Sequence, residues 1–254
     1  METITRKSLL YKSGVEYADY CLNHVLGCSH GCKYPCYAFM MKKRCGVVRT
    51  YEEWCEPKIV SNALELLDKE IPKYKSIIKY VHLCFSTDPF MFEQPEIGEL
   101  SIKIIGRLNQ DNIKCTTLTK GIYPTFSIKE GSVSNEYGIS LVSLDDKYRR
   151  EYEPNTAKFK DRIKALRKLH EAGEKTWVSI EPYPTPNIVK QDLNKILNEI
   201  HFVNKIVFGR LNYSAKASEW PAHKYFYNEC AEKVIKFCSK NQINYHIKVG
   251  TQTK

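Results

Sequence analysis

Cys28, Cys32 and Cys36 stand in the segment CLNHVLGCSHGCKYPCYAFM with three residues between successive members. Gly and Pro within this stretch predict a loop, and a loop lets three thiols turn toward one point. Soft thiolates at such close spacing select an iron–sulfur cluster or zinc. Three protein ligands rather than four leave one metal position open, which is what reaction chemistry needs. Closing the set with His30 would instead give a structural zinc site, and the spacing alone allows both.

A metal loop needs elements to hold it. Val60, Ala63, Leu64, Leu67 and Ile71 form one stripe at helical spacing, so the pattern predicts a helix over 59–71. YVHLCF at 80–85 reads as a buried strand that ends at the breaker STDP. Further helices are expected around Ile97–Leu108, Phe159–Leu169, Leu193–Ile200 and 224–240. Strands are expected at IKCTTL 113–118, YGISLVSL 137–144 after an irregular connection, TWVSIEP 176–182, KIVFG 205–209 and INYHIKV 243–249. The Phe159–Leu169 helix has Gly173 as its natural stop.

Strands alternating with helices imply βα units, right-handed crossovers and a parallel α/β sheet that curls into a full or partial barrel. In such barrels the loops after the strand ends build the site. That draws attention to Thr87 and Asp88 in STDPF, Lys120 in LTKG, Ser140 before SLDD, Glu181 in EPYPTP, and Arg210 and Asn212 in GRLNY. Ser140 and Ser143, three apart on the expected strand, would point to opposite faces, and Ser140 is the one assigned inward.

At 254 residues and 43% hydrophobic side chains the chain is expected to form one domain, 1–254, with short extensions around the loop at 28–36. The N-terminus lacks the apolar block of a secretory signal, and no apolar run approaches bilayer length, so a cytoplasmic protein without membrane partners is expected. Ten cysteines in that setting read as reduced thiols or metal ligands. Cys21, Cys45, Cys55, Cys115, Cys230 and Cys238 lack paired spacing and read as buried small hydrophobes. The net charge of +10 favours an anionic partner such as nucleic acid, although most of the basic residues read as solvated helix faces.

The cysteine segment resembles the radical S-adenosylmethionine (SAM) superfamily, and within it the spore photoproduct lyase and DNA repair photolyase-like branch. Cys28-Ser29-His30-Gly31-Cys32-Lys33-Tyr34-Pro35-Cys36-Tyr37-Ala38 follows that branch's pattern with Pro35 as one added residue. FSTDPFMFEQPE at 85–96, LTKG at 118–121, SLVSLDDKYRREYEP at 140–154 and the segment 162–186 continue the resemblance, which spans roughly residues 20 to 190.

The resemblance implies a partial (β/α)6-type barrel of parallel strands, a radical SAM core. It implies a [4Fe-4S] cluster on Cys28, Cys32 and Cys36, and SAM cleaved reductively to a 5'-deoxyadenosyl radical that abstracts hydrogen from substrate. It places Tyr37 near the adenine and Lys120 facing the cofactor carboxylate, while Thr87, Asp88, Ser140, Glu181, Arg210 and Asn212 are expected around the cofactor from their positions at or after strand ends. It also implies a reducing electron donor such as flavodoxin or ferredoxin, and a substrate that is nucleic acid, nucleotide, RNA or protein. Branch members carry a hydrogen-donor cysteine near the 80–85 strand. Cys84 sits one residue from that place, so it reads first as core packing and second as a catalytic thiol. A zinc-stabilised nucleic-acid-binding protein is the rival from another class.

Overall fold

The computed structural model describes residues 1–14, 18–124 and 133–253. The chain opens with β1 (Glu2–Ile4), β2 (Leu10–Lys12), β3 (Tyr20–Leu22) and β4 (Val25–Leu26), then passes through the cysteine loop into α1 (Tyr37–Arg44) and α2 (Tyr51–Trp54). After β5 (Lys58–Val60) come α3 (Ala63–Tyr74), β6 (Tyr80–Leu83), α4 (Pro95–Gln110), β7 (Lys114–Thr119) and β8 (Glu136–Ser140). Next are α5 (Asp146–Tyr152), α6 (Phe159–Glu171), β9 (Lys175–Tyr183), α7 (Leu193–Glu199) and β10 (Lys205–Arg210). Helices α8 (Ala215–Ser218) and α9 (His223–Asn241) precede β11 (Asn244–Ile247).

Eight strands form one sheet in the order β11-β10-β9-β8-β7-β6-β3-β2. Every neighbouring pair is parallel except β2 with β3. Six of the strands, β6 to β11, are the expected ones, and β3, which the sequence did not announce, adds a seventh parallel strand beside β6. Among the described residues the edge strands β2 and β11 do not pair with each other, so the barrel stays open. The fold is thus a parallel-stranded α/β partial barrel.

Helix formation follows local chemistry. Pro95 opens α4 where its missing N–H costs nothing. Asp145 and Asp192 cap α5 and α7 by accepting the Lys147 and Asn194 backbone N–H groups at 2.8 and 2.9 Å. Gly173, at φ +90°, ends α6 as its position predicts. Leu67 and Ile71 of α3, Ile104 and Leu108 of α4, Leu166 of α6 and Val234 of α9 bury their side chains in one continuous core with the strands. Each such side chain contributes roughly 1.5–3 kcal/mol of burial.

The expected helix over 59–71 starts later, at Ala63, because 58–60 is a strand. Strand β5 joins β1 in parallel and β4 in antiparallel register, making a separate three-stranded sheet. Val60 is buried there as a strand residue rather than as the first turn of the helix. The strand expected over 137–144 ends at Ser140, so Ser143 lies in the following turn. Residues 125–132 of the irregular connection before it lie outside the described residues. No described helix is long and apolar enough to cross a membrane.

Candidate active site

The cysteine loop leaves β4 through Gly27 at φ +87°. A Cβ there would sit 2.8 Å from the Trp54 carbonyl oxygen and 2.9 Å from that of Glu56, so only glycine fits against the end of α2. Cys28 N–H donates to that same Trp54 oxygen at 2.7 Å, and the Tyr51 hydroxyl donates to the Cys32 carbonyl at 2.5 Å. On the other side the α5–α6 corner grips the loop. Asn155 Nδ2 donates to the Ser29 carbonyl at 3.0 Å, and Lys33 N–H donates to the Tyr152 carbonyl at 2.9 Å. Cys36 is the N-cap of α1, but its side chain makes no capping bond. All three thiols are free of disulfides.

Beneath the loop lies a buried ion network. Arg162 and Glu153 are both fully buried, and Arg162 Nη2 donates to Glu153 Oε2 at 2.9 Å. The Tyr34 hydroxyl donates to Glu153 Oε1 at 2.9 Å, and Lys120 Nζ stands 3.8 Å from that oxygen. Burial by itself would raise the Glu153 carboxyl, but Arg162 and then Lys120 outweigh it and hold the group below the usual carboxylate range. Lys120 also lies over the Tyr34 ring, 5.8 Å from its centroid. Two cations meet the Glu153 carboxylate here, and Lys120 also feels the buried Asp88 carboxylate. Burial pushes the Cys32 thiol up to about 12 despite Lys120, and burial holds Cys28 well above the ordinary thiol value.

Asp88 is buried behind the loop and its oxygens are largely committed. Oδ1 accepts from Phe90 N–H at 2.8 Å and from the Thr119 hydroxyl at 2.7 Å, while Oδ2 accepts from Lys120 N–H at 2.8 Å. It therefore fixes the end of β7, on which Lys120 sits. His30 turns inward to meet it. Its Nε2 accepts from Phe92 N–H at 3.1 Å, and Nδ1 lies 3.6 Å from Asp88 Oδ2. A ring nitrogen that accepts a backbone N–H has no lone pair left for a metal, so His30 does not complete a zinc site.

Cys84, at φ +57°, packs with Val25, Met91 and Ile97 and also lines the cavity described next. Ser101 Oγ donates to the Pro89 carbonyl at 2.5 Å and so accepts from His24 Nε2, 2.8 Å away. That leaves His24 Nδ1 as the acceptor facing Cys84 Sγ at 3.4 Å. Of the other cysteines, Cys21, Cys115, Cys230 and Cys238 are buried as expected, whereas Cys45 is exposed and Cys55 is partly so. Those two lie on the turns that flank α1 and α2, outside the core.

A cavity of about 450 Å³ gathers the expected residues at the C-terminal ends of the strands. Cys28, Cys32, Cys36 and Tyr37 line it on the loop side, and Thr87, Asp88, Lys120 and Ser140 from the ends of β6 to β8. Glu181, Arg210 and Asn212 line it from β9 and β10. Glu181 is held against Gly209, where a Cβ would come within 2.8 Å of its Cδ, and its Oε2 stands 3.8 Å from Lys248 Nζ. Arg210 Nε donates to Asn212 Oδ1 at 2.7 Å. A register shift between Phe208 and Arg210 re-aims this strand end. Tyr37 is 47% exposed at the rim, stacked on Tyr213 with ring centroids 6.3 Å apart.

The sequence reading missed Tyr34, Glu153 and Arg162 as a network, and Ser179, Tyr213 and Lys248 as lining residues. Two signals were available. Arg162 interrupts the apolar stripe of Phe159, Ile163 and Leu166 on the buried face of α6, and Ser179 shares the face of Glu181 at offset two on β9.

Residues 22–200 match the family model described as the Radical SAM superfamily. The chain belongs to the radical SAM superfamily. Relatives of this radical SAM superfamily member include the uncharacterized protein ORF301 of Acidianus two-tailed virus, 27% identical over 202 residues, which are 74% of this chain and 64% of the viral protein. The chain thus spans a little under two thirds of that relative's length. The uncharacterized protein MJ0683 of Methanocaldococcus jannaschii is 25% identical over 84% of this chain and 78% of its own. Among solved structures, spore photoproduct lyase complexed with dinucleoside spore photoproduct superposes with a TM-score of 0.64 at 15% identity. That match covers 96% of this chain and 80% of the lyase. A variant of the lyase with bound AdoMet and the same dinucleoside gives 0.63 at 12% identity. At these identities the likeness is one of fold.

Radical SAM enzymes use a [4Fe-4S] cluster and SAM, and the residues present fit both. Three unpaired thiols open from one short loop into one cavity, whose volume lies in the range of small-molecule cofactor sites. Among the described residues no three His, Cys, Asp or Glu side chains are already gathered as a metal centre.

Proposed function

We propose that Cys28, Cys32 and Cys36 hold the cluster, that SAM fills the 450 Å³ cavity, and that the enzyme acts on a nucleic acid or nucleotide as a lyase of the photoproduct-lyase type. The single observation carrying this reading is that the three thiols and every polar strand-end residue singled out from the sequence line one cavity. Bound together, cluster and SAM supply a 5'-deoxyadenosyl radical for hydrogen abstraction.

The chain's own residues do the positioning. Lys120, pinned by Asp88 through its backbone and by Glu153 through its ammonium, presents a positive charge for the SAM carboxylate. Tyr37 offers an aromatic face at the rim for the adenine. Thr87, Ser140, Glu181, Arg210 and Asn212 offer hydroxyl, carboxylate, guanidinium and amide groups for the amino group and ribose, while Asp88 acts on them from behind. Cys84 faces the cavity with its thiol hydrogen directed at His24, and so serves packing first and hydrogen transfer second.

The lyase-like fold and the charge of +10 support a nucleic-acid substrate. A reducing, cytoplasmic setting with flavodoxin or ferredoxin as donor completes the proposal. The test is SAM cleavage with ultraviolet-irradiated single-stranded DNA, unirradiated DNA, RNA and peptide pools supplied separately. Stimulation of 5'-deoxyadenosine release by irradiated DNA, with restored thymidine in the product, is the expected result. Stimulation by RNA or peptide alone would replace the substrate assignment.

A further inference from the structure

Helix α1 leaves the last cysteine of the loop directly and buries none of its eight residues. Two of its rings tie it down: Phe39, 5.1 Å from Tyr51 and 6.5 Å from Trp54 between centroids, and Tyr37, stacked on Tyr213. The opposite side is apolar and exposed. Met40 is 41% and Met41 38% accessible, and Val47 just beyond the helix is 43%. Its last turn carries Lys42, Lys43 and Arg44, with no acidic residue in its first turn. Among the described residues none of these three cations is ion-paired with a carboxylate. Lys43 adds a minor pull that lowers the Glu52 carboxyl, and its ammonium lies over the Phe39 ring, 5.7 Å from the centroid.

An eight-residue helix rises only about 12 Å. The whole apolar and basic face therefore stands within roughly that distance of Cys36, on the loop side of the cavity. Two exposed methionines on a short helix that also carries three cations suit a small, transient contact with an acidic surface, steered by charge and released quickly. Resting on the cluster assignment above, we propose that α1 is the docking surface for an acidic one-electron carrier protein that reduces the cluster. Nucleic acid fits the face less well, because side-by-side exposed methionines offer no stacking plane and no hydrogen bond.

The test compares two reductants on the anaerobically reconstituted enzyme and on a Lys42→Glu/Lys43→Glu/Arg44→Glu variant. One is flavodoxin hydroquinone, an acidic protein; the other is reduced methyl viologen, a small cation that needs no docking face. Stopped-flow bleaching of the cluster absorbance by flavodoxin should slow at least tenfold in the variant, and in the wild type it should slow with added salt. Iron content and the viologen rate should stay within twofold.

A Met40→Ala/Met41→Ala variant should lose flavodoxin reduction less steeply while keeping its salt dependence. Unchanged flavodoxin reduction in both variants overturns the proposal, as does equal slowing with viologen. So does loss of single-stranded DNA retention with flavodoxin reduction intact, which would make α1 a nucleic-acid face. Failure of the wild type itself to bind iron would count against the cluster assignment instead.

Discussion

Glu153 governs the charge under the cysteine loop, because one buried carboxylate balances Arg162 and Lys120 and also anchors Tyr34. Removing one partner of a buried pair typically costs about 3–5 kcal/mol. Glu153→Gln should therefore lower the melting temperature by on the order of 10 °C, read by calorimetry under argon. The pH dependence has a definite sign. A carboxyl held below its ordinary value stabilises the fold above the unfolded pKa of about 4.3, and that contribution is lost as pH falls through the folded value. The stability gap between wild type and Glu153→Gln should shrink as pH drops from about 5 toward 3. A gap constant with pH would remove the ion network from the account. Residue types showed where such chemistry would lie, since cysteines and strand-end polar residues are conspicuous in sequence. The network was harder to see because Glu153 and Arg162 look like ordinary surface charges until α6 turns Arg162 inward.

Gly27 and the small sheet β4-β5-β1 set the entry of the loop. Gly27→Ala would force a Cβ to within 3 Å of two backbone oxygens at a left-handed φ, and backbone cannot step aside as a side chain tip can. Iron incorporated on reconstitution should fall severalfold, with far-UV circular dichroism largely retained; normal iron loading would show that the loop does not depend on this entry. The barrel strands and long helices were legible because β6 to β10 are buried runs bounded by breakers, and α4 and α6 keep a clear apolar stripe. The strands β1 to β5 were not. Each is two or three residues long, too short for any period to appear, and they exist through pairing with distant partners. That pairing also claimed Val60, which by spacing belonged to the helix after it.

Taken whole, the molecule is an open parallel sheet whose strand ends and cysteine loop share one cavity, with an exposed basic helix beside the loop. The family and its cofactors follow from the match over residues 22–200, whereas the ligand set rests on the loop. The most direct test is anaerobic reconstitution of the wild type and Cys32→Ala, with iron, sulfide and zinc quantified and dithionite-driven 5'-deoxyadenosine measured. The account predicts about four irons per wild-type chain, SAM cleavage, and loss of both in Cys32→Ala with the fold retained. Stoichiometric zinc without cleavage, or four irons and full cleavage in Cys32→Ala, would contradict it.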